Sequence, residues 1–379
     1  MEDRSLFLER KTIINNAFAC RKNTRVPIFS NFWTWKMLDS EYSLRETLEN
    51  YDILFRVVCD FQERYQFDSL FDLGTRNPVR VTKALGDNEF HKIDDATESI
   101  YVLDHEIMSE DDYDLFIKDK TEFYWTKAFA RYCPDLTIGQ LDNAIREYRD
   151  FQKFSAGIAK KFVEDYQCVP APINYLKQPF EYFFTSLRGM KGCALDLRRK
   201  KDKVIEACRH IYETMTLPLL KRVIQQDNSG FMCDMYTAFL GHSILNTKQF
   251  GDIYWPVLKG CMDMFEQNGK QLLIQSESTL LRFADFFKDV PVGLLAIEIE
   301  QDDIFEMRKA LPQICFLGGM PTYLLGRGTP EQCVDYTKKL IDGMGNGFIL
   351  SQDKMISYRK DCKRENLLAS NNFAREYKL

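Results

Sequence analysis

The chain lacks the cysteine spacing of a disulfide-rich or zinc-ribbon protein. Its 11 cysteines are scattered singly, and no two of them form a C-x-x-C pair. An odd, unpatterned set of thiols is typical of a reducing compartment and not of a disulfide framework. The sequence therefore predicts free cysteines in a cytoplasmic protein.

Long apolar runs and an excess of positive charge are also missing. No apolar run reaches the ~18 residues that a membrane span needs, and the first residues, MEDRSLFLERK, are charged where a signal peptide is apolar. The net charge is -5, which gives no basic face for nucleic acid. The one basic cluster, Arg198 to Lys203, is interpreted as a solvated helix start more readily than as a phosphate or lipid patch. We expect neither a membrane nor a nucleic-acid partner.

What the chain does contain is an alternation of strands and helices. Four short apolar runs between Gly269 and Ser351 are each followed by a helical pattern or a turn. Such alternation predicts βαβ crossovers and a parallel sheet. At 379 residues the chain suits a (β/α)8 TIM barrel with N-terminal helical additions. We expect one domain over residues 1–379, with an N-terminal helix in 1–25 and an excursion over 74–165 that covers the mouth.

Acidic and amide residues end two of the predicted strands. Gln275 and Glu277 are two residues apart in one run, and Glu298 and Glu300 are two apart in the next. Side chains alternate along a strand, so each pair shares a face, and carboxyl ends of parallel strands are where chemistry gathers. If both faces line a barrel mouth, these side chains converge.

Converging carboxylates need a metal, a basic partner or a captured proton, because like charges repel in a low dielectric. The alternative is that the four residues are exposed strand ends, with Asp302 and Asp303 capping the next helix. The sequence leaves both interpretations open.

Other candidate residues lie at the ends of the remaining predicted strands. Trp33 and Trp35 follow the first strand, where aromatics line ligand sites or simply pack. Arg188 is a candidate anion ligand or a helix-terminal cation, and His242 a candidate general acid or a structural histidine. Further substrate-contacting candidates from the same strand ends are Asn174 and Tyr236. Asp72 ends the second predicted strand.

Several stretches resemble the uroporphyrinogen decarboxylase superfamily, and more closely its methyltransferase-type branch. They are Tyr113 to Lys118 (YDLFIK), Leu187 to Gly192 (LRGMKG), Gln249 to Lys259 (QFGDIYWPVLK), Asp303 to Phe305 (DIF) and Phe316 to Ser351, which contains GTPE and GFILS. The decarboxylase itself has an arginine-rich N-terminal loop that grips carboxylates. Ser30 to Met37 (SNFWTWKM) has no arginine, which argues against that activity.

The resemblance implies a TIM barrel that moves methyl groups to or from a corrinoid on a small partner protein. In such enzymes a His-x-Cys pair and a late cysteine hold zinc. Here Gln275 and Glu277 stand at the first two positions and Lys354, beside Asp353, at the third. The zinc signature is therefore broken, and the candidate metal ligands become Gln275, Glu277 and Glu298.

Three functions remain from this reasoning. The first is a corrinoid-dependent methyltransferase for a small methyl donor, such as an aryl methyl ether or a methylamine-like compound, with Glu277, Glu298 or Glu300 as metal ligands or proton donors. The second is another reaction on a small carboxylated substrate, with Lys354, Arg188 or His242 neutralising the charge. The third is a non-catalytic paralogue that binds a ligand or partner.

Lys354 is expected to distinguish these functions. A Lys354–Glu277 ion pair would replace the metal, whereas a lysine that points elsewhere would leave metal binding possible. A homodimer is also possible, because apolar residues from Ile314 to Leu325 would pack either in the core or against a second copy.

Overall fold

A computed structural model describes residues 4–71, 78–86, 91–102 and 106–379 of the chain. The described residues form ten strands: β1 (Phe29–Ser30), β2 (Ser69–Leu70), β3 (His91–Asp94), β4 (Ser99–Val102), β5 (Val169–Pro170), β6 (Met235–Phe239), β7 (Leu272–Ser276), β8 (Leu295–Ile299), β9 (Cys315–Met320) and β10 (Phe348–Gln352). Strands and helices alternate through most of the chain, so the fold is mixed α/β.

Two parallel sheets carry most of these strands. One has the order β10-β9-β8-β7-β6, and the other has the order β1-β2-β5. Isolated parallel bridges connect the two sheets, from Ile28 to Leu350 at one side and from Tyr175 to Tyr236 at the other. The parallel arrangement agrees with the alternation read from the sequence.

Helices follow the strands and cover the sheets. The α-helical segments are α1 (Ser5–Phe18), Trp35–Leu38, Leu44–Glu49, Tyr51–Tyr65, Val79–Ala84, Tyr113–Lys118, Lys120–Phe123, Phe129–Tyr132, Ile138–Glu164, Pro179–Tyr182, Gly189–Arg199, Lys201–Ile211, Leu217–Val223, Thr247–Gln249, Trp255–Gln267, Ile304–Ala310, Thr322–Arg327, Pro330–Met344 and Arg364–Glu376. Among the described residues, no helix combines the length and apolar character needed to cross a bilayer.

Local sequence explains how several helices begin. The Thr329 hydroxyl accepts a hydrogen bond from the backbone N–H of Gln332, and the Gln332 side-chain oxygen accepts one from the backbone N–H of Thr329. Pro330 follows in the first turn, where its missing N–H costs nothing. The GTPE motif is therefore a helix start and not a ligand loop.

Apolar side chains divide into two clusters on opposite faces of the strands. The cluster that we call the inner cluster is Phe7, Ile14, Ala17, Phe18, Phe29, Val169, Ala171, Met232, Cys233, Leu273, Ala296, Cys315, Leu317 and Ile349. Alternating residues of the same strands, such as Ile274, Ile297 and Leu350, belong instead to the larger cluster shared with the surrounding helices. Helix α1 thus packs against the inner faces of both sheets.

Asp68 fixes α1 to the first two strands. Its buried carboxylate accepts hydrogen bonds from Arg10 Nε at 3.0 Å, from Arg25 Nη1 at 2.7 Å and from the Ile28 backbone N–H at 2.9 Å. The two arginines are nearly buried as well. One carboxylate therefore connects α1, the residues before β1 and the residues before β2.

Two stretches named in the sequence analysis have defined structures. The excursion predicted over 74–165 contains, in its described part, helix Val79–Ala84 and the antiparallel hairpin β3–β4. The stretch Ile314 to Leu325 forms β9 and the start of helix Thr322–Arg327. Its apolar side chains are buried except for Leu324, which is half-buried, and Tyr323, which is 66% exposed. Most of that stretch therefore packs in the core.

The basic cluster is a surface ion-pair network. Lys200 pairs with Asp111, and Lys203 pairs with Asp114. These pairs connect the helix starts near residue 200 to the segment around residues 110–114.

Candidate functional site

Four polar residues follow the inner cluster at a constant spacing. Asn31, Gln275, Glu298 and Ser351 each come two residues after one of its members, namely Phe29, Leu273, Ala296 and Ile349. Because side chains alternate along a strand, all four lie on the inner face, one layer nearer the carboxyl ends. We call them the polar layer. All four are buried.

The polar layer is contiguous across the five-stranded sheet. Gln275 and Glu298 are register partners on β7 and β8. The hydroxyl of Ser351 lies 3.4 Å from Glu298 Oε1, although β9 runs between their strands. At that level β9 has two glycines, Gly318 and Gly319.

Gly318 cannot be replaced without disturbing this arrangement. Its φ is +123°, and a Cβ built there would lie 2.7 Å from the carbonyl oxygen of Ile299. L-residues rarely adopt that conformation. The glycine therefore permits the close approach of β8 to β9.

Two carboxamides of the polar layer have unused hydrogen-bonding groups. Asn31 and Gln275 are each 1% exposed. Among the described residues, neither the oxygen nor the nitrogen of either side chain has a hydrogen-bond partner. Buried polar groups are almost always paired, so four unpaired atoms on one inner face mark a place for a polar ligand or ordered water.

A second set of polar groups lies one layer further toward the strand ends. Glu277 and Glu300 are half-buried, and Glu300 Oε1 accepts a hydrogen bond from the Met355 backbone N–H at 3.3 Å. Trp33 is also half-buried, and its indole N–H has no partner among the described residues. These side chains border the polar layer on the side away from α1.

Aromatic rings occupy the other part of the inner face. Phe71, just after β2, meets Tyr236 of β6 edge to face with ring centroids 4.8 Å apart. Tyr175, after β5, packs against the same Tyr236 ring at 4.8 Å. The inner face is therefore polar on β1, β7, β8 and β10 and aromatic along β2, β5 and β6.

Glu181 is a buried acid that sequence reasoning missed. Its Oε1 accepts hydrogen bonds from the backbone N–H groups of Leu240 and Gly241, each at 2.8 Å, and from the Tyr254 hydroxyl. Burial raises its pKa to about 7, although the backbone N–H groups of Leu240 and Gly241 and the charge of Lys177 oppose the shift. The charge of Glu277 also acts on it, so Glu181 lies close behind the site.

His242 is fully buried behind β6 and is not suited to the role of general acid. Burial, and secondarily the charge of Arg282, lower its pKa to about 4. The ring is therefore neutral near pH 7. Its Nε2 lies 3.4 Å from the Ser276 hydroxyl, which faces the outer side of β7. The structural interpretation of this histidine fits better than the catalytic one.

The two cations named from sequence already have carboxylate partners. Lys354 Nζ lies 3.1 Å from Asp361, beside the Tyr358 ring. Arg188 is buried and contacts both oxygens of Asp196, with Nε at 2.7 Å, and it also pairs with Glu106. Arg188 is therefore a structural cation and not an anion clamp.

Two substrate candidates are packing or framework residues. Trp35 lies among Phe32, Phe61 and Tyr65 in the outer core and donates its indole N–H to the Cys362 carbonyl at 3.0 Å. Asn174 is buried and donates to the Asp234 carbonyl at 3.0 Å, which holds the segment after β5 to β6. Asp72, which ends the second predicted strand, lies outside the described residues.

The donor set at the site does not suit zinc. The part of the chain that the structure describes contains no group of three or more His, Cys, Asp or Glu side chains placed to hold a metal ion. The polar layer offers carboxylate, carboxamide and hydroxyl oxygens, whereas zinc favours thiolate and imidazole. All 11 cysteines are free, and ten are buried.

Comparison with known proteins supplies a structural relative. No protein-family model matches the chain. No curated protein sequence matches it either. Among solved structures the chain is similar to a methyltransferase from Methanosarcina mazei, with a TM-score of 0.61 and 13% sequence identity over 97% of this chain and 98% of the other. The fold is therefore similar to that of this solved structure over 97% of the chain.

Proposed function

We propose that the protein is a methyltransferase of the uroporphyrinogen decarboxylase superfamily that moves a methyl group between a small methylated substrate and a corrinoid on a partner protein. The observation that carries the proposal is the polar layer, set at the carboxyl ends of β7, β8 and β10 within a methyltransferase-like fold. We further propose that the eight parallel strands form a closed barrel, since bridges join the two sheets at both sides. Sites in such barrels lie at the carboxyl ends of the strands.

Glu298 is the proposed proton donor. It is buried, and its carboxyl contacts Ser351. When the bond between methyl carbon and heteroatom breaks, the electron pair stays on the heteroatom, which then needs a proton. A carboxylic acid in the polar layer can give that proton directly. We assign the return of a proton from solvent to Glu277 and Glu300, which are half-buried.

The corrinoid, when bound, accepts the methyl group as the equivalent of a cation. The chain's own contribution is the surface that follows the strand ends, where Ile173, Tyr323 and Tyr358 are 72%, 66% and 54% exposed. Apolar side chains around the site would exclude water when the partner carrying the corrinoid covers it. We propose that this occurs in the cytoplasm, which the free thiols support.

No catalytic step is assigned to a metal. Gln275, Glu277 and Glu298 lie near one another, yet their oxygen donors do not fit the zinc that the superfamily's methyltransferases use. A carboxylated substrate is also disfavoured, because Arg188 and Lys354 already pair with carboxylates. Proton donation by a carboxylic acid remains the chemistry that the site supports best.

The test is methyl transfer to free reduced cobalamin, followed by the change in its visible spectrum. Aryl methyl ethers and methylated amines serve as donors. We expect wild type to methylate the corrinoid and Glu298→Gln to lower kcat by about 10²- to 10⁴-fold, since a carboxamide cannot give up a proton. The control is Glu306→Gln, an exposed glutamate paired with Lys309. No transfer by wild type, or full activity in Glu298→Gln, would reject the proposal.

A further inference from the structure

The unpaired atoms of the polar layer indicate which hydrogen-bonding groups a ligand needs in order to pair with them. Asn31 and Gln275 each present one carbonyl acceptor and one NH₂ donor, both buried and both without partners among the described residues. A carboxamide is satisfied only by a ligand that offers donors and acceptors together. The two residues therefore specify the hydrogen-bonding pattern of what they contact.

We propose that the substrate is a neutral, planar molecule with an amide edge, in which a carbonyl acceptor lies beside an N–H donor, as in a carboxamide or a lactam. This inference rests on the proposed function for the methyl group and adds the class of molecule that carries it. Two-point pairing of Gln275 or Asn31 with such an edge satisfies both atoms of the side chain at once.

Charged ligands match this layer less well. A carboxylate brings only acceptors, so the carbonyl oxygens of Asn31 and Gln275 stay unpaired, and it adds an acidic group beside Glu298. An ammonium brings only donors, which leaves the two NH₂ groups unpaired. Sites built around buried hydrogen-bonding groups discriminate strongly against ligands that leave those groups unpaired.

The aromatic part of the inner face accounts for the planar shape. Phe71, Tyr175 and Tyr236 are in mutual contact through Tyr236, at centroid distances of 4.8 Å on both sides. Tyr236 lies on β6, the neighbour of β7, and Phe71 follows β2, the neighbour of β1. A flat ring packed against them directs its polar edge toward the carboxamides.

The experiment uses three ligands with the same pyridine ring and different polar groups: nicotinamide, nicotinate and 3-(aminomethyl)pyridine. Each is titrated into the full chain, without corrinoid, and binding is followed by the broadening of ligand NMR signals. We expect nicotinamide to bind at least tenfold more tightly than the acid or the amine. Equal or tighter binding of either charged ligand, or no binding of nicotinamide to folded protein, would overturn the proposal.

Variants assign the preference to the polar layer. Gln275→Met keeps the length of the side chain and removes its hydrogen bonds, so nicotinamide should bind at least tenfold more weakly. Gln271→Met is the matched control, because Gln271 precedes the same strand at its other end and donates to the Gly293 carbonyl. If Gln275→Met fails to fold by circular dichroism, Asn31→Ala takes its place with the same expected loss. A folded variant that retains the amide preference contradicts the assignment.

Binding and methyl transfer are measured separately, so the two proposals can fail independently. Amide preference without methylation of cobalamin would reject the proposed function and keep the ligand class. Methylation of cobalamin from an ether or amine, together with no amide preference, would reject the ligand class and keep the proposed function.

Discussion

The side-chain amide of Gln275 is buried, and no group in the described part of the protein forms a hydrogen bond with it. Leaving a buried donor or acceptor unpaired costs about 1–3 kcal/mol. We therefore expect Gln275→Met to raise the free energy of unfolding by about 1 kcal/mol while it weakens ligand binding. Thermal and urea unfolding would measure the change.

Gln62 is the matched control for this prediction. It is equally buried, but it donates to the Phe67 carbonyl at 2.9 Å and accepts from the Phe67 N–H at 3.2 Å. Gln62→Met should therefore lower stability, because it leaves backbone groups unpaired. A Gln275→Met variant that is destabilised like Gln62→Met would mean that Gln275 has a structural role.

Glu181 gives the molecule a distinctive pH dependence. Its pKa is about 7 in the folded chain against 4.5 for an ordinary glutamate, because burial disfavours its charge. The folded state thus holds a proton that the unfolded state has released, and stability falls as pH rises from about 4.5 to 7. The loss amounts to about 3 kcal/mol at most.

His242 acts in the opposite direction below pH 6.5. Its pKa of about 4 in the folded chain means that the unfolded state takes up the proton first, so acid destabilises the fold between 6.5 and 4. The effect of Glu181 on stability is therefore best measured between pH 6.5 and 8, where His242 does not oppose it.

We expect Glu181→Gln to unfold at a higher temperature than wild type at pH 8 and to lose the wild-type decline between pH 6.5 and 8. The amide oxygen still accepts from Leu240 and Gly241, so the turn after β6 is preserved. If the unfolding temperatures of the two proteins changed equally between pH 6.5 and 8, the assignment to Glu181 would be refuted.

At the scale of elements, α1 depends on Asp68. Replacing Asp68 with alanine leaves Arg10 and Arg25 buried without their shared carboxylate. Breaking a buried pair in this way costs about 3–5 kcal/mol. We expect Asp68→Ala to be destabilised by that amount in urea unfolding and to expose α1 to proteolysis.

Glu9 provides the comparison for Asp68. It also pairs with Arg25, at 3.3 Å, but its side chain is 53% exposed. Glu9→Ala should change stability by less than about 1 kcal/mol. Equal effects of the two substitutions would mean that burial does not govern the strength of this network.

Element positions could be predicted from sequence because periodicity is local. Helix Ser5–Phe18 and strands β7 to β10 lie where apolar spacing indicates them. The same spacing contained a signal that went unused: Asn31 and Ser351 come two residues after apolar strand residues, as Gln275 does. Applying this two-residue spacing to all strands predicts that Asn31, Gln275 and Ser351 lie on the same face.

Partners distant in sequence could not be predicted. Arg188 forms an ion pair with Asp196, and Lys354 forms one with Asp361. Local spacing in the sequence does not distinguish these two aspartates from the other acidic residues. Glu181 looked like an ordinary helix residue, since its low exposure and its bonds to Leu240 and Gly241 arise only after β5 and β6 meet. Side-chain roles at this site are therefore set by tertiary contacts.

For the whole molecule, we expect folding and stability to be independent of zinc. The described residues provide no cluster of three ionisable ligands, and the polar layer presents only oxygen donors. Dialysis against a chelator should leave the unfolding temperature unchanged, and elemental analysis should find less than about 0.1 equivalent of zinc. One equivalent of zinc that falls in Glu277→Ala would contradict this expectation.

The pairing of Ile28 with Leu350 has a consequence for how the protein is made. A ribosome adding about 5–20 residues per second needs roughly 15 to 60 seconds to travel between these two positions. During that time the outer edge of β1 has no partner, and unpaired strand edges promote aggregation. Yield in a host cell should therefore depend on chaperones that hold the nascent chain until its last strand emerges.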